Sequence, residues 1–101
     1  MEINITTQGA EITATLIGRL DTPAAQEAAA TLDTLQEKAD GTLILDCKDL
    51  EYISSSGLRI FLTLRKAAIA KGGKVIVRSI RPEIRSVFVM TGFLNLFQIE
   101  D

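Results

Sequence analysis

The chain has 101 residues, a formal net charge of −2, 47% hydrophobic and 24% charged residues, a balance that fits one globular domain and not a disordered segment. Four Phe, one Tyr, no Trp and no basic block leave neither a stacking platform nor an electrostatic footprint for nucleic acid. Histidine is absent, which removes Ser-His-Asp and Cys-His catalysis and the commonest metal ligand, so neither enzymatic activity nor a metal or cofactor is expected.

Cys47 is the single cysteine, which excludes an internal disulfide and fits a reducing compartment. The opening MEINITTQGAEI lacks the basic start and apolar stretch of a signal peptide, and no apolar run approaches the length of a membrane span. A soluble cytoplasmic protein without membrane insertion is the expectation.

In chain order, residues 3–7 and 11–17 are rich in β-formers and alternate, and Gln8-Gly9 between them predicts a hairpin turn. Gly18-Arg19-Leu20-Asp21 is expected to leave the sheet. Thr22-Pro23 then predicts a helix start, with Thr22 as cap and Pro23 at the first helical position, where a missing N–H costs nothing. Ala25, Ala28, Ala29, Leu32 and Leu35 follow at helical spacing, and Asp40-Gly41 is expected to end the helix.

Leu43-Ile44-Leu45 predicts a strand buried on both faces, ending at Asp46, with Asp49 and Glu51 in a polar connection. A helix is expected from about Ser56 to Lys71, with Leu58, Phe61, Leu62 and Ile69 inward. Arg59, Thr63, Lys66 and Ala70 would form its outer stripe, and Gly72-Gly73 its stop. Val75-Ile76-Val77 is a second buried strand. Arg81-Pro82-Glu83 restarts a helix with Ile84, Val87, Phe88 and Thr91 inward and Gly92 as its stop, and residues 96–99 form a last edge strand or docked tail. The order ββαβαβα(β) predicts an α/β fold, a mixed sheet with a parallel centre and helices packed on it.

The stretch Glu51–Leu62, EYISSSGLRIFL, places three serines and a glycine before an apolar helical run. One serine suffices to cap a helix, a contribution of about 1 kcal/mol relative to Ala. A serine there also stands at the carboxyl edge of a parallel sheet, where α/β proteins place their sites. A phosphate on it would add about −1.5 to −2 charges at a helix end that tolerates them. Modification would then change the surface and leave the fold intact.

These residues carry a resemblance. LILDCKDLEYISSSGLRIFLTLRKAAIAKGGKVIV (residues 43–77), Gly18-Arg19-Leu20-Asp21 followed by Thr22-Pro23-Ala24-Ala25, and the late VFVMTGFLNLF (residues 87–97) together resemble the STAS domain of bacterial anti-sigma factor antagonists over essentially the whole chain. The resemblance implies a single STAS domain, residues 1–101, whose phosphoacceptor is the serine two positions before the glycine, Ser55. It implies as partners an anti-sigma factor serine kinase, which binds the unmodified domain and releases it once phosphorylated, and a serine phosphatase that reverses the mark. Bound to its kinase, the domain would free a sigma factor, and the nucleotide and the catalysis would belong to the kinase.

Family members often carry Asp where this chain has Ser54, so Ser54 and Ser56 are alternative acceptors. Asp21, Ser54, Ser56, Gly57, Leu58 and Arg59 are the expected partner-binding positions. Each also has a structural reading: Asp21 as a helix-start carboxylate, Arg59 as a solvated side chain, Leu58 as core. A STAS subunit that scaffolds a lipid-transport or stress-sensing assembly without switching is the alternative function. Asp46, Asp49 and Glu51 suggest a receiver-type phosphoacceptor site, but the early acidic pair is missing and the chain is too short for five βα units. Cys47 reads as a small buried side chain.

Overall fold

The structure is a computed structural model and describes residues 1–36 and 40–100. Strands β1 (Glu2–Gln8) and β2 (Glu11–Leu20) form an antiparallel hairpin; α1 (Thr22–Gln36), β3 (Thr42–Ile53), α2 (Ser55–Ala70), β4 (Lys74–Arg78) and α3 (Pro82–Thr91) follow. A single 3-10 turn, Phe93–Leu96, leads into the short β5 (Gln98–Glu100). The five strands lie in sequence order, β1-β2-β3-β4-β5. β1 is antiparallel to β2, and the other neighbours are parallel. This is the mixed sheet and the ββαβαβα(β) order that the sequence predicts.

Because each parallel strand is the next neighbour in the same direction, right-handed crossovers put all three helices on one face. The buried residues show this. Leu43, Leu45, Val75 and Val77 join one core with Leu32 and Leu35 of α1, Phe61 and Leu64 of α2, and Ile84 and Phe88 of α3. Ile44 and Ile76 alternate with them and are buried outside that cluster, on the opposite face. Phe61, Phe88 and Phe97 meet edge to face with ring centroids 5.9 to 6.3 Å apart, which ties α2, α3 and the last loop together.

Several boundaries differ from the sequence reading, each for a local reason. The hairpin loop is Gly9-Ala10, since Gln8 pairs with Glu11. β2 does not leave the sheet at Gly18 but pairs with β3 as far as Leu20. Asp46–Glu51 is not a connection either; β3 runs through it to Ile53. Two register shifts against β2, between Thr15 and Ile17 and between Gly18 and Arg19, each place one extra residue in β3. These are β-bulges, and they break the alternation that marks a strand. Inward residues fall two apart at Leu43, Leu45 and Cys47, then three apart at Leu50 and Ile53. The backbone freed at the first bulge is satisfied by side chains. The Lys48 N–H donates to Asp46 Oδ1 at 3.2 Å, and the Lys48 carbonyl accepts from Arg81 Nε at 2.8 Å.

In α2 the inward side chains are Leu58, Phe61, Leu64 and Ala68, whereas Ile69 is 56% exposed. Ile69 lies one helical step past Ala68, which turns it toward the sheet edge beside Arg65 and Leu96. Thr91, expected inward, is exposed and turns its hydroxyl back to the Val87 carbonyl at 2.8 Å. Val87 and Ala29 are half-buried. Gly92 closes α3 in the left-handed conformation, φ 77°, which glycine adopts without a Cβ penalty. α1 is described as far as Gln36, and Asp40-Gly41, its expected stop, forms a turn and bend just ahead of β3.

Candidate functional site

Leu20 and Ile53 are register partners on neighbouring parallel strands. The residues that follow them, Asp21 and Ser54, therefore leave the same edge of the sheet, and each caps the helix it enters. Asp21 Oδ1 accepts from the Ala24 N–H at 3.0 Å, and Ser54 Oγ accepts from the Gly57 N–H at 3.2 Å. The first helical backbone bonds repeat the pattern, Ala25 N–H to the Asp21 carbonyl at 2.8 Å and Leu58 N–H to the Ser54 carbonyl at 3.0 Å. Ser54 is further pinned by its own N–H, which donates to the Leu20 carbonyl at 2.8 Å.

The α1 cap stands one residue earlier than expected, Asp21 in place of Thr22, and of the three serines it is Ser54 that caps α2. Each helix start offers consecutive side chains able to cap. The one that does is the last extended residue, as the φ of −89° and ψ of 172° at Ser54 show.

The three serines thus separate. Ser54 is 8% exposed, and its hydroxyl holds the helix start. Ser55 is exposed on the first helical position. Ser56 is half-buried. It lines a groove of about 360 Å³ between α1 and α2, together with apolar Ala25, Ala29, Leu32, Ile60 and Leu64 and polar Gln26, Asp33, Arg59 and Thr63.

Gly57 has a steric reason. A Cβ there would stand 2.8 Å from Leu20 Cγ and 2.9 Å from Ile53 Cγ1, both on buried side chains at the ends of β2 and β3. Only a glycine lets α2 begin this close to the strands. Leu58, with 5% exposure, belongs to the core, so Gly57 and Leu58 set the position of the loop from below.

Arg59 is exposed on the outer stripe, and among the described residues its side chain makes no ion pair or hydrogen bond. Arg19 and Tyr52 form a feature the sequence reading missed: the guanidinium lies 4.4 Å from the ring centroid. They are register partners across β2 and β3. Only that register, which the bulges set, brings them together.

Cys47 is fully buried, and its thiol is pushed up to about 12, first by burial and then by the nearby Asp46 carboxylate. It stays a neutral packing group, not a nucleophile. Among the described residues no group of three His, Cys, Asp or Glu side chains could hold a metal ion, and no helix is long and apolar enough to cross a membrane.

The chain and its fold have known counterparts. Residues 2–101 match the family described as the STAS domain. The chain belongs to the STAS domain family. BtrV of Bordetella bronchiseptica, which carries the name of an anti-sigma factor antagonist, is 33% identical over 86 residues, 85% of this chain and 74% of BtrV. An anti-sigma factor antagonist from Thermotoga maritima has the same fold, with a TM-score of 0.88 at 17% identity over 98% of this chain and 86% of that one. So does the anti-sigma factor antagonist SpoIIAA in its unphosphorylated form, with a TM-score of 0.77 at 22% identity over 99% of this chain and 88% of SpoIIAA. The phosphorylated Bacillus SpoIIAA gives the same TM-score and identity, over 91% of its own length.

Proposed function

We propose that this STAS domain is an anti-sigma factor antagonist switched by phosphorylation of Ser55. Unmodified, it binds an anti-sigma serine kinase through the edge formed by Asp21, Ser56 and Arg59, which Ser54, Gly57 and Leu58 hold in place. Binding withdraws the kinase from a sigma factor. Phosphate transfer to Ser55 releases the domain, and a serine phosphatase restores it.

One observation carries this reading. Of three adjacent serines, Ser55 alone is exposed, while Ser54 is buried and spends its hydroxyl on the cap. Ser56 is half-buried in the groove wall. A kinase needs an acceptor hydroxyl that can enter its site without unfolding the substrate, and Ser55 meets that condition. A dianion on Ser55 would alter the partner-facing edge while the positive end of α2 tolerates it. The relation to proteins named as anti-sigma factor antagonists supports the same role.

The test is incubation with the cognate kinase and ATP, followed by peptide mass spectrometry and a binding assay. The expected mark is on Ser55. Ser55→Ala should remain bound in the presence of ATP. Ser55→Asp should bind at least about tenfold more weakly, which corresponds to about 1.4 kcal/mol. Absence of phosphate from residues 52–57 would favour the scaffold reading, and a mark on Ser54 or Ser56 would move the switch to that residue.

A further inference from the structure

We infer that a phosphate on Ser55 is held by Arg59 of the same helix, so that modification also withdraws a guanidinium that is unengaged among the described residues at the mouth of the α1–α2 groove. The inference rests on Ser55 being the acceptor, and it concerns how the mark acts on the surface.

Ser55 is the first residue of α2 and Arg59 the fifth. Residues four apart in a helix are surface neighbours, with Cβ atoms about 5–6 Å apart. Both are exposed, so their side chains can meet in solvent above the first turn. Among the described residues Arg59 is unengaged, unlike most of its kind. Arg19 stacks on Tyr52, Arg65 bonds the Leu96 carbonyl, Arg78 pairs with Glu100 and Arg81 bonds the Lys48 carbonyl.

Nothing acidic competes within the helix. The neighbours of Arg59 three and four residues away are Ser55, Ser56, Leu62 and Thr63, all uncharged. Ser54, just before the helix, adds no carboxylate. Across the groove, Asp33 accepts from Gln36 Nε2 at 2.9 Å. On the flanking elements, Asp21 Oδ1 caps α1, and Glu51 lies exposed near the end of β3. A phosphoryl group with three acceptor oxygens suits the planar fork of arginine.

In the unmodified chain Arg59 can meet a carboxylate of the partner. In the modified chain the same guanidinium faces a phosphate on its own helix, so the edge gains negative charge and loses its free cation together.

The experiment installs phosphoserine at position 55 by genetic encoding, so that no kinase is needed, and follows the phosphorus NMR shift against pH. The second dissociation of phosphoserine, near 6, should be lower in the parent than in Arg59→Gln. The expected difference is about 0.3 unit, twofold in the dissociation constant, the size of a helical charged pair four residues apart. Lys66→Gln removes the same charge three turns away and should leave the value unchanged.

Equal values in the parent and Arg59→Gln would overturn the inference. So would an equal displacement by Lys66→Gln, because net charge would then explain it. Thermal melts of the unmodified variants, expected to match the parent, show that each is folded. Whether a kinase marks Ser55 does not enter this titration, so failure of the switch and failure of the pair are separately visible.

Discussion

The starts of α1 and α2 are two versions of one construction. Each follows a paired residue at the end of a parallel strand, each is capped by the residue after it, and each cap receives an N–H three residues on. They differ in charge and in depth. At α1 the cap is the carboxylate of Asp21, which answers the positive end of the helix. At α2 the cap is a neutral serine, and no acidic residue occupies the first turn. The equivalent third positions are Ala24 and Gly57, and only the glycine sits against Leu20 and Ile53 too closely for a Cβ. One helix start is electrostatically complete. The other is set low on the strands with its positive end unanswered, and it carries the exposed Ser55 at its first position, where α1 carries the exposed Thr22.

The depth difference gives the largest expected effect. Gly57→Val should destabilise the domain by about 2–3 kcal/mol in denaturant unfolding, because Leu20 and Ile53 must move or the helix start must lift. A cost below about 0.5 kcal/mol would show that the close approach is not a constraint.

The charge difference comes next. Asp21→Ala and Ser54→Ala should each cost about 1 kcal/mol as lost caps. The Asp21→Ala cost should shrink when salt is raised toward 1 M, as screening removes the interaction with the helix end, while the Ser54→Ala cost should hold. Identical salt responses would remove the electrostatic distinction. The smallest effect belongs to the exposed hydroxyl. Ser55→Ala should change stability by less than about 0.5 kcal/mol, so any loss of switching in that variant is a loss of chemistry and not of fold.

The order of elements was legible because its signals are local. Alternation at Ile12, Ala14 and Leu16 marks β2, small then large residues from Ala25 to Leu35 mark α1, and Pro82 and Gly92 bracket α3. The serine loop stood out in the sequence, since three capping residues in a row exceed what one helix start needs. Which serine caps was not, because neighbouring serines are chemically alike and only the backbone turn selects among them. The far half of β3 was hidden for a different reason. A strand is recognised by its period of two, and the bulges at residues 46–49 and 50–52 break that period while the ladder with β2 continues. Ile69 misled because hydrophobicity alone does not fix where a helix face ends; its rotation past Ala68 takes it out to the rim.

The two bulges in β3 also make that strand tolerant of length. In an unbroken strand, losing one residue sends every later side chain to the wrong face of the sheet. Here β3 spends twelve residues on a path that β2 covers in ten. Deleting Lys48 would heal the first bulge and leave Ile53 opposite Leu20, with the serine loop still at the same edge. The position of Ser55 is therefore set by ladder rungs and not by residue count, and insertions or deletions confined to these two places can retune the approach to it without moving it.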